Sequence, residues 1–213
     1  MRRLLIVVVL LLGVAVAADR VAAVAAERVV AERIQADESL DVRPGVSIRG
    51  VPFLTQLARG RYDDVTVTVH DLRRGELDID QVRAHMTGVH VPFSDVVRQR
   101  VDRVRIDAAS AEIRLTYAAV NHLLEARGFT LGPGGDGEVH VTASAAAGGA
   151  QLSAGADVPL SVQDDVVSID TRLGTVLQIP LPRMPFGIEL KSARATPDGL
   201  TVVCTAQGLV ITR

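Results

Sequence analysis

The titratable side chains of this chain do not group into a known catalytic motif. The sequence has no Gly-x-Ser-x-Gly elbow, no His-Glu-x-x-His pair and a single cysteine, Cys204. The patterns that activate a serine, a zinc-bound water or a paired thiol are therefore missing. The five histidines are spread along predicted strands or lie in a short predicted helix: His70, His85, His90, His122 and His140. We interpret the four strand histidines as solvent-facing.

Acidic residues are paired at Asp63-Asp64 and Asp164-Asp165, and Asp78 and Asp80 lie two apart. Adjacent carboxylates in turns usually solvate the turn, and none of these runs clusters enough oxygen ligands for calcium. We therefore predict no catalytic residue, no metal ion and no cofactor, and expect a binding protein rather than an enzyme. The net charge of −2 lacks the basic excess that is typical of nucleic-acid binding.

Residues 1–18 have the composition of an export signal. Arg2 and Arg3 are followed by fifteen uncharged residues, and Ala15-Val16-Ala17 is a small-x-small cleavage pattern. As a helix, the apolar run would span roughly 22 Å, short of the about 30 Å of a bilayer core. It is either a cleaved signal peptide or an uncleaved signal anchor. Both place residues 19–213, which we predict to form a single domain, outside the cytoplasm.

The next two elements are a helix and a strand. Residues 19–39 are rich in Ala, Glu and Arg, which favour helix, and Val46-Ser47-Ile48 is a short strand. Residues 50–60 form a compact apolar segment, with a helical turn or two that ends at Gly60. From residue 62 onward, apolar residues alternate with polar ones, as in a half-buried strand.

The remainder of the chain is predicted to be mostly strand. Residues 89–97 are a second apolar segment, and Thr116 has the residue type of an N-cap for a short helix over residues 117–127. Strand patterns then recur from residue 139 to residue 206, interrupted by a predicted loop over residues 173–186. Because neighbouring strands adjoin in sequence, we predict an α+β fold. A long, curved antiparallel sheet wraps the N-terminal helix, and short helices lie at the sheet ends.

The segment Gly50-Val51-Pro52-Phe53-Leu54-Thr55-Gln56-Leu57, with Gly60, carries a family resemblance. Together with the leader and the first helix, it resembles the LmeA-like family of actinobacterial envelope proteins, first described as a domain of unknown function. The similarity covers roughly residues 25–213, and this run is its most specific part. It implies a fold similar to tubular lipid-binding domains, phospholipid binding, a periplasm-like location and a role in lipoglycan or envelope maintenance.

Proline precedes three of the four phenylalanines, in a chain with only 3% aromatic residues. Large apolar contact area therefore concentrates at these three corners. They either line the mouth of an apolar lipid groove or dip into a bilayer, or they cap the ends of the core. The candidate lipid-binding residues are Phe53, Leu54, Leu57, Phe93, Val96, Val97 and Phe186.

Three arginines lie next to these corners. Arg59 and Arg61 flank Gly60, and Arg98 directly follows the second apolar segment. Guanidinium groups there either hold a lipid phosphate through charge-assisted hydrogen bonds or form a solvated face.

The hypothesis favoured by these observations is an exported protein that binds, and in one version transfers, phospholipid, another acyl lipid or a lipid-linked glycan at the membrane surface. A second hypothesis is an accessory module that binds an envelope glycosyltransferase or another membrane protein. A third, an enzyme acting on lipid-linked glycans, is weakened by the missing acid–base pair.

Overall fold

A computed structural model describes residues 1–74, 77–98, 100–101, 103–125, 128–135, 137–147, 150–163, 166–170, 176–179 and 188–212. Within these ranges the helices are α1 (Arg2–Asp37), α2 (Phe53–Arg59), α3 (Phe93–Val97) and α4 (Tyr117–Leu124). The strands are β1 (Gly45–Arg49), β2 (Arg61–Arg74), β3 (Leu77–His90), β4 (Arg103–Thr116), β5 (Phe129–Pro133), β6 (Val139–Ala147), β7 (Ala150–Val158), β8 (Leu160–Gln163), β9 (Val166–Asp170), β10 (Val176–Ile179), β11 (Glu189–Thr196) and β12 (Gly199–Thr212).

The largest sheet has six strands in the order β1-β2-β3-β4-β12-β11. Two smaller sheets have the orders β10-β9-β8 and β5-β6-β7. The pairs β1–β2, β11–β12, β5–β6, β6–β7, β8–β9 and β9–β10 are antiparallel. The predicted α+β class, with an N-terminal helix, a large antiparallel sheet and short helices, is confirmed.

The chain divides into two compact units. Unit 1 comprises residues 1–68, 85–109 and 207–213, and unit 2 comprises residues 69–84 and 110–206. The single domain expected for residues 19–213 stays a prediction.

Helix α1 is continuous through the predicted leader and the predicted helix that follows it. Nothing at residues 15–19 breaks it, because Ala, Val and Asp are all compatible with helical backbone. The residues before Asp19 are exposed, whereas Ala23 and Ala31 are buried. The Glu27 carboxylate accepts a hydrogen bond of 2.7 Å from the Ile48 N–H, which connects α1 to β1.

Helix α1 is long and apolar enough to cross a membrane by length and composition. Its most apolar window has a mean hydropathy of 2.5, and only 6% of that window is buried in the protein. Both a signal sequence and an anchor have these properties.

Unit 2 has its own apolar core, built from strands and from α4. Its fully buried side chains include Val120, Leu124, Val139, Val158 and Cys204. The N-cap prediction is confirmed, since the Thr116 hydroxyl accepts a hydrogen bond from the Ala119 N–H.

Candidate functional site

Helices α2 and α3 form two short turns that contact each other within unit 1. We call residues 51–59 and 92–97 the apolar turns. Each helix follows a proline, whose ring restricts φ at the residue before the helix, to −78° at Pro52 and −56° at Pro92. Gly60 ends α2 in the left-handed region with φ of 63°, and its carbonyl accepts a hydrogen bond of 2.9 Å from the Val91 N–H. A Cβ at Gly60 would lie 2.8 Å from the Val91 carbonyl oxygen, so only glycine permits this close approach.

Two buried side chains hold the first apolar turn in place. Phe53 is 1% exposed and packs against Tyr62, with ring centroids 6.2 Å apart. The buried Gln56 amide donates to the Arg49 carbonyl at 3.2 Å and accepts from the Asp63 N–H at 2.9 Å. Because the two bonds reach the end of β1 and the start of β2, they fix α2 against both strands.

The neighbouring apolar side chains point into solvent. Leu54 is 45% exposed, Phe93 48% and Val97 64%, while Val96 is also exposed and Leu57 is half-buried. The structure therefore separates the predicted lipid-binding residues into a buried support, Phe53, and an exposed apolar surface. Phe186 lies outside the described residues.

Asp19 connects the end of the apolar leader to the first turn. It is 4% exposed, and its Oδ1 accepts a hydrogen bond of 2.8 Å from the Leu54 N–H. Its Oδ2 accepts from the Arg20 guanidinium, which also donates to the Gly50 carbonyl at 3.1 Å. The two residues that follow the apolar run therefore bind both the start of α2 and the loop before it.

The environment of Asp19 favours its charged form. The Leu54 N–H, first, and the Arg20 guanidinium, second, lower the pKa of this carboxyl to about 2, against the opposing effect of burial. Asp19 is therefore ionised at neutral pH, and the charge strengthens both hydrogen bonds.

The three predicted headgroup arginines are all exposed. Arg59 is the last residue of α2, and Arg98 caps the C-terminus of α3. Arg61, the first residue of β2, donates to the Asp107 carboxylate at 3.3 Å. The structure thus brings Arg61 into an ion pair and leaves Arg59 and Arg98 at the helix ends.

Three histidines that we interpreted as solvent-facing lie near carboxylates on neighbouring strands: His85 lies 3.6 Å from Asp64, and the other two are closer to theirs. His90 lies 3.1 Å from Asp107, and His140 lies 2.6 Å from Asp157. The partners of His90 and His140 are each 17 positions away, which the alternation of apolar and polar residues does not reveal.

Sequence reasoning missed Asp19 and Gln56. The available signal was a polar residue within an otherwise apolar segment: Gln56 among Phe53, Leu54 and Leu57, and Asp19 between two apolar runs. A buried polar side chain at such a place usually forms hydrogen bonds with backbone groups that would otherwise have no partner.

A comparison with family models finds a match over residues 17–205 to a family described as LmeA-like phospholipid-binding. The match begins at the end of the apolar leader run and includes both apolar turns. No curated protein and no solved structure matches the chain.

Replacing Asp19 tests its contribution through pH. Because its folded-state pKa lies near 2 and its ordinary value is 3.8, the carboxylate stabilises the fold fully above about pH 4. That stabilisation is lost as the pH falls through about 2. We expect Asp19→Asn to lower the free energy of unfolding most above pH 4, with the difference from the native chain shrinking toward pH 2, as measured by urea unfolding.

Asp41→Asn is the control, because it changes the net charge equally at an exposed position. An Asp19→Asn difference that stays constant between pH 2 and pH 4, or that the control reproduces, would contradict this role.

Proposed function

Because the chain belongs to the LmeA-like phospholipid-binding family, we propose that it is an exported cell-envelope protein that contacts phospholipid through the apolar turns, without catalysing a reaction. The observation that carries this proposal is the exposed surface of Leu54, Phe93, Val96 and Val97. Large apolar side chains on two adjoining turns, held by buried groups beneath, are typical of a lipid or protein contact surface.

Apolar burial supplies the binding free energy in this proposal. Transferring one CH₂ group from water into an apolar environment contributes about 0.8 kcal/mol, so a sixteen-carbon acyl chain offers on the order of 12 kcal/mol before ordering costs. The hypothesis from the sequence is that the apolar turns form the mouth of an apolar groove. This groove would receive the part of the acyl chain that the turns do not contact. Phe53 then acts from beneath the surface, because its ring already packs in the protein.

The arginines at the ends of the turns complete an amphipathic arrangement. Arg59 and Arg98 are exposed where α2 and α3 end, so their charges lie beside apolar side chains, as the polar and apolar parts of a phospholipid adjoin. We assign Arg59, Arg61 and Arg98 to the headgroup side of the contact.

The apolar part of α1 supports the export that we propose. The exposed run before Asp19 enters a translocation channel or a membrane, and the body of the protein is then delivered outside the cytoplasm. The sequence resemblance adds a role in lipoglycan or envelope maintenance to this proposal, and transfer of the bound lipid is one version of it. Binding to an envelope glycosyltransferase or another membrane protein is the alternative hypothesis.

A charge at the exposed apolar turn tests lipid contact. Val97→Asp places a carboxylate where we expect acyl chains, and burial of a valine side chain contributes about 1.5 kcal/mol or more. We expect the affinity for phosphatidylglycerol vesicles, measured by co-sedimentation, to fall at least about tenfold.

Val42→Asp is the matched control, because Val42 is also an exposed valine of unit 1 (50% exposed) and lies outside both turns. The proposal requires the control to keep native affinity. Equal loss in both variants, or no loss in Val97→Asp, would count against the apolar turns as the contact surface.

Intact mass tests export. For the full chain expressed in a bacterium, we expect the exported product to lack residues 1–17, because Ala15-Val16-Ala17 is the cleavage pattern. A full-length product in the membrane with its body accessible to external protease would identify an anchor and still support export. A body that stays inside the cell would contradict it.

A further inference from the structure

Unit 1 contains an open depression whose lining includes four charged or titratable side chains. It has a volume of about 340 Å³ and lies on strands β2, β3, β4 and β12. The polar lining is Arg61, His90, Arg105 and Asp107, and Gly208 and Val210 are among the remaining residues. All of them belong to unit 1.

Asp107 organises the polar side of the depression. One oxygen accepts from Arg61 at 3.3 Å, and the other lies 3.1 Å from His90 Nε2. A Cβ at Gly88 would lie 2.1 Å from Asp107 Oδ2, so this glycine leaves the space that the carboxylate occupies. The carboxylate thus orients two of the side chains and neutralises one positive charge.

A positive charge is left over. The Arg105 side chain is exposed, and its guanidinium makes no hydrogen bond or ion pair with any residue in the described part of the chain. Arg61 uses one nitrogen, Nη2, on Asp107, and a guanidinium has five N–H donors. Two arginines and one carboxylate give a net charge of +1, with unused donors on both guanidinium groups.

The depression also has open space and an apolar wall. Gly208 has φ of 61°, and a Cβ there would meet no atom within 4 Å. Val210, two residues further on, is exposed. An anion with an attached apolar group therefore finds both donors and hydrocarbon in one place.

The chain joins this depression directly to the apolar turns. Arg61 follows Gly60, and His90 precedes Val91, the two residues whose backbones share a hydrogen bond of 2.9 Å. At about 3.3 Å per residue, the cationic lining begins within a few ångströms of the turns. A cationic depression bordered by exposed apolar side chains has the polarity pattern of a phospholipid.

We propose that Arg61 and Arg105 bind a phosphate group, carried by the headgroup of a phospholipid whose acyl chains contact the apolar turns. His90 lines the same depression and is positioned by Asp107. This inference rests on the proposed function, because it names the headgroup chemistry that the same lipid contact accepts. Guanidinium groups suit phosphate because their planar fork donates two parallel hydrogen bonds.

The test uses the full chain and the Arg105→Gln variant, with vesicles of phosphatidylcholine that contain either phosphatidylglycerol or an equal charge of oleate. We expect the variant to lose about three- to tenfold in affinity for phosphatidylglycerol vesicles, since a hydrogen bond to a charged group is lost. For oleate vesicles, we expect the affinities of the variant and the native chain to differ less than twofold.

Arg83→Gln is the matched control, because Arg83 is an exposed arginine of β3 outside the depression. It should bind both vesicles as the native chain does. Unchanged binding of Arg105→Gln, or equal losses in both variants, would overturn the inference and leave the proposed function standing. Failure of the native chain to bind either vesicle would overturn the proposed function itself.

Inorganic phosphate distinguishes the two sources of the anion. If the native chain, and not Arg105→Gln, broadens the phosphorus resonance of inorganic phosphate while vesicle binding is the same for both, the site takes free phosphate and the lipid assignment is wrong. If the native chain broadens the resonance and Arg105→Gln also loses affinity for phosphatidylglycerol vesicles, the result supports a phosphate site that a lipid headgroup occupies.

Discussion

Helix α2 has seven residues, too few to be stable without tertiary contacts. Three contacts on its buried side therefore hold it in place. The Phe53 ring packs on Tyr62, the Gln56 amide forms hydrogen bonds with two backbone groups, and the Asp19 carboxylate accepts a hydrogen bond from the Leu54 N–H. These contacts occupy one side of a short helix, so Leu54 is left facing outward. The exposed apolar surface is a consequence of how the helix is held, and it adjoins α3 because Gly60 allows close packing.

The same contacts give structural roles to residues of the segment around Pro52, on which the sequence resemblance was based. Phe53 supplies the apolar anchor, Gln56 satisfies buried backbone groups, and Gly60 is compatible with the left-handed turn beneath Val91. Asp19 adds a connection from the middle of α1, directly after the leader run. The turn that we assign to lipid contact is therefore held by a residue that directly follows the apolar leader run and belongs to the same unit.

Local patterns predicted several elements, but the loop predicted over residues 173–186 is wrong at β10, which pairs with β9. Alternating valines predicted β2, Gly60 predicted the end of α2, and Thr116 predicted the start of α4, because periodicity and capping act over a few residues. The hydrogen bond from Leu54 to Asp19 spans 35 positions, and the pair of His90 with Asp107 spans 17. Such contacts arise from tertiary packing, which no local pattern encodes. For the same reason, composition did not show that Phe53 is buried while Phe93 is exposed.

The central claim is that the exposed side of the apolar turns lies in lipid. The chain has no tryptophan, so one introduced indole reports its own surroundings, and Phe93 and Val42 are equally exposed starting positions, at 48% and 50%. With phosphatidylglycerol vesicles that contain brominated acyl chains, we expect the fluorescence of Phe93→Trp to shift to the blue and to be quenched, and that of Val42→Trp to stay unchanged. Unchanged emission from Phe93→Trp under conditions where the protein sediments with the vesicles would contradict the account.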